Sequence, residues 1–210
     1  MATLDIRSGS NDRGLVASDN THATAIGMAT ADEGVENAGD DFASDDFFTP
    51  TYFIRRSAIE FAISSIPTNA TIVSGALDIV FAGVTGDTNN YSVNVFHFTR
   101  QSAAGGAFDL NDYNEAVGTA ACDSAKDITG LTGSQSYTLN AAAIAHIQSA
   151  LSAGYVQFSA RISGDYSASA PTGGNLINGY RGTDATESNR PRLQLVYTVP
   201  ESNNGFFHFM

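Results

Sequence analysis

Arg55 and Arg56 are the residues of this sequence best suited to a defined chemical interaction, because a guanidinium holds a carboxylate through two parallel hydrogen bonds. They stand in an apolar run, and neighbouring residues of a strand face opposite sides, so one arginine should point inward. An inward arginine needs a carboxylate partner, and Glu60, Asp78 and Glu187 are candidates. The alternative is that the pair binds a carboxylate or a glycan supplied from outside.

Carboxylates also cluster, and carboxylate oxygens are the ligands that Ca²⁺ prefers. The clusters are Asp40-Asp41 with Asp45-Asp46, and Asp109 with Asp112. Neither has the spacing of an EF-hand loop, and acidic chains commonly carry Asp-rich loops. A structural calcium ion at Asp40, Asp41, Asp45 and Asp46 is therefore an alternative to simple solvated loops, and no other cofactor is expected.

Catalytic motifs are missing from the sequence. The four histidines, His22, His97, His146 and His208, stand in no metalloprotease or serine-hydrolase pattern. His97 lies among apolar residues, which favours a core or interface position over a ligand. The single cysteine, Cys122, excludes an intrachain disulfide and a thiolate zinc cluster. We therefore expect a protein that is not an enzyme.

Strands are the elements that would position these residues. Between Tyr52 and Phe81 apolar and polar side chains alternate with a period of two, on either side of a turn at Pro67. The first strand should have one dry face, formed by Phe53, Ser57, Ile59, Phe61 and Ile63. Further strands are predicted over residues 91–99, 155–162 and 192–199. Phe108 and Tyr113 should pin the long connection over residues 101–133 to the sheet.

One helix is predicted over residues 139–151, with Asn140 as its N-cap, an apolar stripe at Ile144, Ile147 and Leu151, and Gly154 beyond its end. Short strands, glycine-rich turns and one helix together predict an all-β fold, a jelly-roll-like antiparallel β-sandwich with one short helix.

Three regions differ in composition. Residues 1–50 are polar and predict an arm with short strands, packed on the sandwich or on a neighbour. Residues 51–199 form the sandwich. Residues 200–210 form a tail in which Phe206, Phe207 and Phe209 would be a liability in water, so we expect them to anchor an interface.

The net charge of −12, from 10 basic and 22 acidic residues, disfavours binding to nucleic acid or to an anionic membrane. No apolar run is long enough to span a bilayer, and the first residues, MATLDIR, do not resemble a secretory signal. The protein is expected to stay where it is made or to leave without a signal, for example in a virus particle released from the host cytoplasm at lysis.

Several segments resemble a known family. The pattern from Tyr52 to Leu77, with RR and SSIP-x-x-A-x-I, is similar to the DNRLRE-type domain, a β-sandwich also grouped with carbohydrate-binding modules. The resemblance continues over residues 140–161, at Tyr180-Arg181-Gly182 and over residues 189–197, where Arg190 precedes the last strand and is a further ion-pair candidate. Such domains occur in secreted multidomain proteins and in phage structural proteins. This chain has no attached enzyme and no signal, which favours the phage group.

The resemblance implies a non-enzymatic virion structural protein, either a capsid decoration or a tail-associated component. Its partners would be other virion proteins and further copies of itself in a homo-oligomer. The alternative is a carbohydrate-binding or adhesion module, in which Tyr166, Tyr180 and Arg181 would contact the glycan. The absence of tryptophan counts against that alternative.

Overall fold

The computed structural model describes residues 1–9, 11–35, 42–86, 91–171, 175–179 and 186–201, and over these ranges the chain is an antiparallel β-sandwich. Its strands are β1 (Ala2–Arg7), β2 (Arg13–Asp19), β3 (Glu33–Val35), β4 (Ala43–Phe48), β5 (Thr51–Ala62), β6 (Thr71–Gly86), β7 (Ser92–Phe98), β8 (Thr119–Ala120), β9 (Lys126–Asp127), β10 (Gly133–Thr138), β11 (Tyr155–Ile162), β12 (Asn175–Gly179) and β13 (Arg192–Thr198). Its helices are α1 (His22–Gly27), α2 (Asp112–Glu115), α3 (Ala141–Ala150) and α4 (Ser163–Ser167).

The strands form two layers. The first layer has the order β2-β5-β11-β7, with β3 beside β2 and with β8 and β9 beside β7. The second layer has the order β1-β13-β6-β10. Strands β12 and β4 connect the layers, because β12 pairs with both β6 and β4, and β4 pairs with β5. The predicted all-β sandwich is confirmed.

The main core lies between the layers and is built by alternation. Ile59, Phe61 and Ile63 point inward from the first layer and meet Leu77 and Ile79 of β6. The predicted helix closes part of this core, with Ile147 and Leu151 buried. It begins as expected, since the Asn140 side chain accepts a hydrogen bond from the Ala143 amide at 3.0 Å. None of the helices in the described ranges is long and apolar enough to cross a bilayer.

The expectation of a single dry face on β5 is wrong. Ile54, Arg56 and Ala58, on the face opposite the main core, are fully buried as well. The connection after β7 and helix α1 cover that face, and Phe108 and Tyr113 of the connection are fully buried in a second apolar cluster, as predicted. The polar residues Arg56 and Glu60 suggested a wet face, but their charges are neutralised by buried partners.

The described part of the N-terminal region supplies strands to both layers. Strand β1 pairs with β13 from Ala2↔Tyr197 to Arg7↔Arg192, and β2 and β4 lie on opposite edges of β5. Strand β10 was not predicted from the sequence, because Tyr137 is its one buried side chain.

Candidate functional site

A buried ion network lies between the first layer and the elements that cover it. Arg56 is fully buried and donates from Nε and Nη2 to the two carboxylate oxygens of Asp165, at 2.9 and 2.7 Å. Arg161 donates to the same two oxygens at 2.7 and 2.9 Å. Burial alone would raise the pKa of Asp165, but the two guanidiniums outweigh it and lower the pKa to about 2.

The remaining donors of Arg56 are also used. Its Nη1 and Nη2 donate to the backbone carbonyls of Tyr113 and Ile26, each at 2.9 Å. The guanidinium lies 4.0 Å from the centre of the Tyr113 ring, within the range of a cation–π contact. Arg56 therefore holds α1, α2 and α4 against β5, and the hydrogen bonds described for it are all made inside the fold.

The arginine partner is not one of the three carboxylates considered from the sequence. Glu60 instead accepts hydrogen bonds from Arg100 at 3.2 Å and from Gln157 at 2.8 Å. The Oδ2 atom of Asp78 lies 3.8 Å from Nη1 of Arg192, on the outer face of the second layer. Glu187 begins a short 3₁₀ turn, Glu187–Asn189, far along the chain from this network.

The other two arginines singled out from the sequence have different positions in the fold. Arg55 follows Ile54 on the opposite side of β5 and is half-buried. Arg190 follows the 3₁₀ turn, and its backbone carbonyl accepts a hydrogen bond from Arg7 at 2.7 Å. The network is thus built by Arg56 and two residues, Arg161 and Asp165, that sequence analysis did not select.

A second buried pair lies beside the network. His22 of α1 places its Nε2 3.0 and 3.2 Å from the two carboxyl oxygens of Asp45 on β4. Burial, with repulsion from Asp165 and Asp46, raises the pKa of Asp45 to about 8, and burial lowers the pKa of His22. At neutral pH the pair therefore shares one proton and has no net charge.

This placement bears on the calcium hypothesis. Asp45 is fully buried, and both of its carboxyl oxygens lie within hydrogen-bonding distance of His22 Nε2. Asp46 follows it on β4, and Asp40 and Asp41 lie outside the described residues. Over the described ranges, no three or more His, Cys, Asp or Glu side chains come together in a group that could hold a metal ion.

The shared proton predicts a pH dependence of stability. The folded pair keeps its proton up to about pH 8, whereas the unfolded chain, with ordinary pKa values of 3.8 for Asp and 6.5 for His, loses it around pH 6.5. The free energy of unfolding should therefore fall by about 1.3 kcal/mol between pH 6.5 and pH 8. Urea unfolding followed by tyrosine fluorescence measures this change.

The matched variant is Asp45→Asn, which has no carboxyl to lose a proton and keeps the shape of the protonated side chain. Its free energy of unfolding should be constant across the same window. Asp5→Asn, at a carboxylate whose side chain is 52% exposed, serves as the control and should keep the wild-type profile. If the free energy of unfolding of Asp45→Asn fell by as much as that of the wild type, the assignment of the shared proton would be wrong.

An aromatic hairpin projects beside this pair. Strands β4 and β5 are joined at Thr49-Pro50, and aromatic residues flank the turn on both sides. We call Phe47, Phe48, Tyr52 and Phe53 the aromatic hairpin. The rings of Phe47 and Tyr52 lie 4.5 Å apart, and those of Phe48 and Phe53 lie 6.1 Å apart. Phe48 is 65% exposed and its three companions are half-buried, so the hairpin presents apolar rings to solvent.

The buried pair fixes the base of the aromatic hairpin. The His22 ring packs edge-on against Tyr52, with 5.3 Å between the ring centres. Asp45, two residues before Phe47 on β4, lies against the backbone of α4, where a Cβ atom built on Gly164 would overlap its carboxyl group. The rings are therefore held on a rigid support.

Sequence analysis did not recognise the hairpin as a site. The signal was present in the string FFTPTYF, where two aromatic residues precede and two follow a three-residue polar stretch containing proline. The string spans the end of the polar N-terminal region and the start of the first core strand, so composition assigns its two halves to different regions.

The residues predicted to contact a glycan are not assembled into a site by the described structure. The Tyr166 hydroxyl is 2.5 Å from the Ser92 hydroxyl, and its ring packs 5.5 Å from that of Phe96. Tyr166 is consequently half-buried and already partnered. Tyr180 and Arg181 lie outside the described residues, as do the tail anchors Phe206, Phe207 and Phe209.

The remaining described histidines and the cysteine are uncharged at neutral pH. The rings of His97 and His146 lie 4.5 Å apart, and burial, with a contribution from His146, lowers the pKa of His97 to about 4. Burial raises the pKa of the Cys122 thiol to about 11. No protein-family model and no curated protein matches the chain, so its membership of the DNRLRE-type family stays a prediction.

Proposed function

We propose that this chain is a non-enzymatic structural protein of a virus particle, a capsid decoration or a tail-associated component, which acts by assembly and attachment. The observation that carries the proposal is the aromatic hairpin, in which Phe48 is 65% exposed and Phe47, Tyr52 and Phe53 are half-buried beside it, above a buried support. Its partners are other virion proteins and further copies of the chain.

The physical argument is that exposed aromatic side chains lower solubility unless they are covered. Phe and Tyr bury large areas at the centres of protein interfaces and lose little conformational entropy when they do so. The hairpin rings are already restrained by contact with one another and with His22, so their entropy loss on docking is smaller still. The net charge of −12 keeps the uncovered molecule dispersed before assembly.

The test is a Phe48→Ser variant offered to particles that lack the native protein. Truncation of an interface anchor costs about 2 kcal/mol or more, so attachment should weaken roughly 30-fold. The matched control is Val73→Ser, since Val73 is also exposed, at 48%, but lies on β6 away from the hairpin. Co-sedimentation with particles over a range of protein concentrations measures the affinity.

Both variants should keep the wild-type unfolding transition, because both side chains are largely in solvent. Equal attachment of Phe48→Ser and the wild type would remove the hairpin from the attachment surface. Failure of the wild type to bind particles at any concentration would overturn the virion assignment itself.

A carbohydrate-binding role is the second candidate, and one observation favours it. The rings of Phe47 and Tyr52 are tilted against each other at 4.5 Å, and the Tyr52 hydroxyl adds a polar group to this pair, so it offers both stacking and a hydrogen bond to a sugar. A glycan array probed with the wild type and with Tyr52→Ser distinguishes the two. Specific binding that is lost in the variant would favour this candidate.

A further inference from the structure

The aromatic hairpin and the described end of the chain lie at opposite poles of the sandwich. Strand β5 starts at the hairpin with Thr51 and runs to Ala62, and two tight turns over residues 63–70 then lead into β6. Thr198 pairs with Thr71, the first residue of β6, so the chain leaves the sandwich at the pole remote from the hairpin. The opposite end of β6 lies on the side of the hairpin, because Gly86 of β6 and Asp45 of β4 are both paired with Asn175.

The backbone distances favour contact between molecules over contact within one molecule. At about 3.3 Å per residue, β5 carries the backbone about 36 Å from Thr51 to Ala62. A fully extended backbone from Glu201 to residue 209 covers about 28 Å. The tail of one molecule would therefore have to be almost fully stretched to bring its phenylalanines to the hairpin of the same molecule, whereas the hairpin of a second copy has no such constraint.

We propose that the occupant of the aromatic hairpin is residues 202–210 of a second copy of this chain. The inference rests on the proposed function, and it names the partner of that surface. Phe206, Phe207 and Phe209 supply aromatic rings to match those of the hairpin, and aromatic pairs add stabilisation beyond the area they bury. A contact between a hairpin and a tail is heterologous, so repetition produces a closed ring or a filament.

The charges of the two segments favour contact between a hairpin and a tail over contact between two hairpins. Asp46 stands directly opposite Phe53 in the hairpin, and the whole chain has a net charge of −12. Two hairpins brought together would bring these carboxylates together. The segment SNNGFFHFM contains no Asp or Glu, so it brings no acidic side chain to the contact.

The test uses two full-length variants, each lacking one half of the contact. The hairpin variant carries Phe48→Ser and Phe53→Ser, and the tail variant carries Phe206→Ser, Phe207→Ser and Phe209→Ser. We expect the wild type to self-associate, and each variant alone to do so at least 30-fold more weakly. An equimolar mixture of the variants should form a 1:1 dimer that does not extend, since it has one intact hairpin and one intact tail. Sedimentation velocity measures all four samples.

Three outcomes would overturn the inference. They are a wild type that stays monomeric, a tail variant that associates like the wild type, and a mixture that forms no dimer. Particle attachment separates this inference from the proposed function. If Phe48→Ser loses attachment while the tail variant self-associates normally, the hairpin is an attachment surface for another virion protein and the copy-to-copy contact is wrong.

Discussion

Replacing Asp165 by asparagine should lower the free energy of unfolding by about 3–5 kcal/mol, because two buried guanidiniums would lose their shared carboxylate. An amide carries no charge and accepts fewer hydrogen bonds, so Arg56 and Arg161 would repel each other in a poorly solvated site. Equilibrium unfolding in urea at pH 6.5 gives the value.

The control is Asp5→Asn at an ion pair of the opposite kind. Asp5 binds Arg192 on the surface, where the side chains are 52% and 31% exposed, so the loss should be below about 1 kcal/mol. A second variant keeps the test informative if Asp165→Asn does not fold. Adding Arg161→Met to Asp165→Asn removes one of the unpaired charges and should restore part of the stability. Equal losses in Asp165→Asn and Asp5→Asn would show that the network contributes no more than a surface pair.

Gly164→Ala should cost about 3 kcal/mol, at the upper end of the range for overpacking, because the added methyl group would overlap the Asp45 carboxyl group. The carboxyl group must then leave His22, which removes the support of the Tyr52 ring as well. We expect the variant to lose stability and to attach to particles less tightly than the wild type.

Gly27→Ala is the matched control, since a Cβ atom at this exposed last residue of α1 would meet nothing within 4 Å. Its stability should equal or slightly exceed that of the wild type, because alanine restricts the unfolded chain. If Gly164→Ala were as stable as Gly27→Ala, the contact between α4 and Asp45 would not restrain the hairpin.

The long elements were predictable because their patterns are strong. Strand β5 carries many β-branched and aromatic residues, with apolar side chains at Ile59 and Phe61 on one face, and α3 combines an N-cap at Asn140 with regularly spaced apolar residues. Strand β10 shows neither signal, since its residues are small and polar apart from Tyr137, and it belongs to the sheet only through its hydrogen bonds to β6.

The site was less predictable, for two physical reasons. Asp165 reaches Arg56 because the five-residue helix α4 turns the chain directly after β11, and no local pattern relates residues separated by 109 positions. The prediction that one face of β5 contacts solvent was wrong. It relied on the charges of Arg56 and Glu60, and the sequence alone does not show that buried partners neutralise them. The inward position of one arginine was foreseeable, whereas the identity of its partner depended on the tertiary fold.

The pairing of β1 with β13 has a consequence for how the protein is made. Arg192 contacts Asp5 across a sequence separation of 187, so β1 cannot pair with its neighbour until β13 has left the ribosome. Until then this edge of β1 is unpaired, and closing so long a loop is slow. Completion of the second layer during synthesis therefore depends on β13, which follows every other described strand in the sequence, and chaperone assistance would be most useful just before β13 emerges.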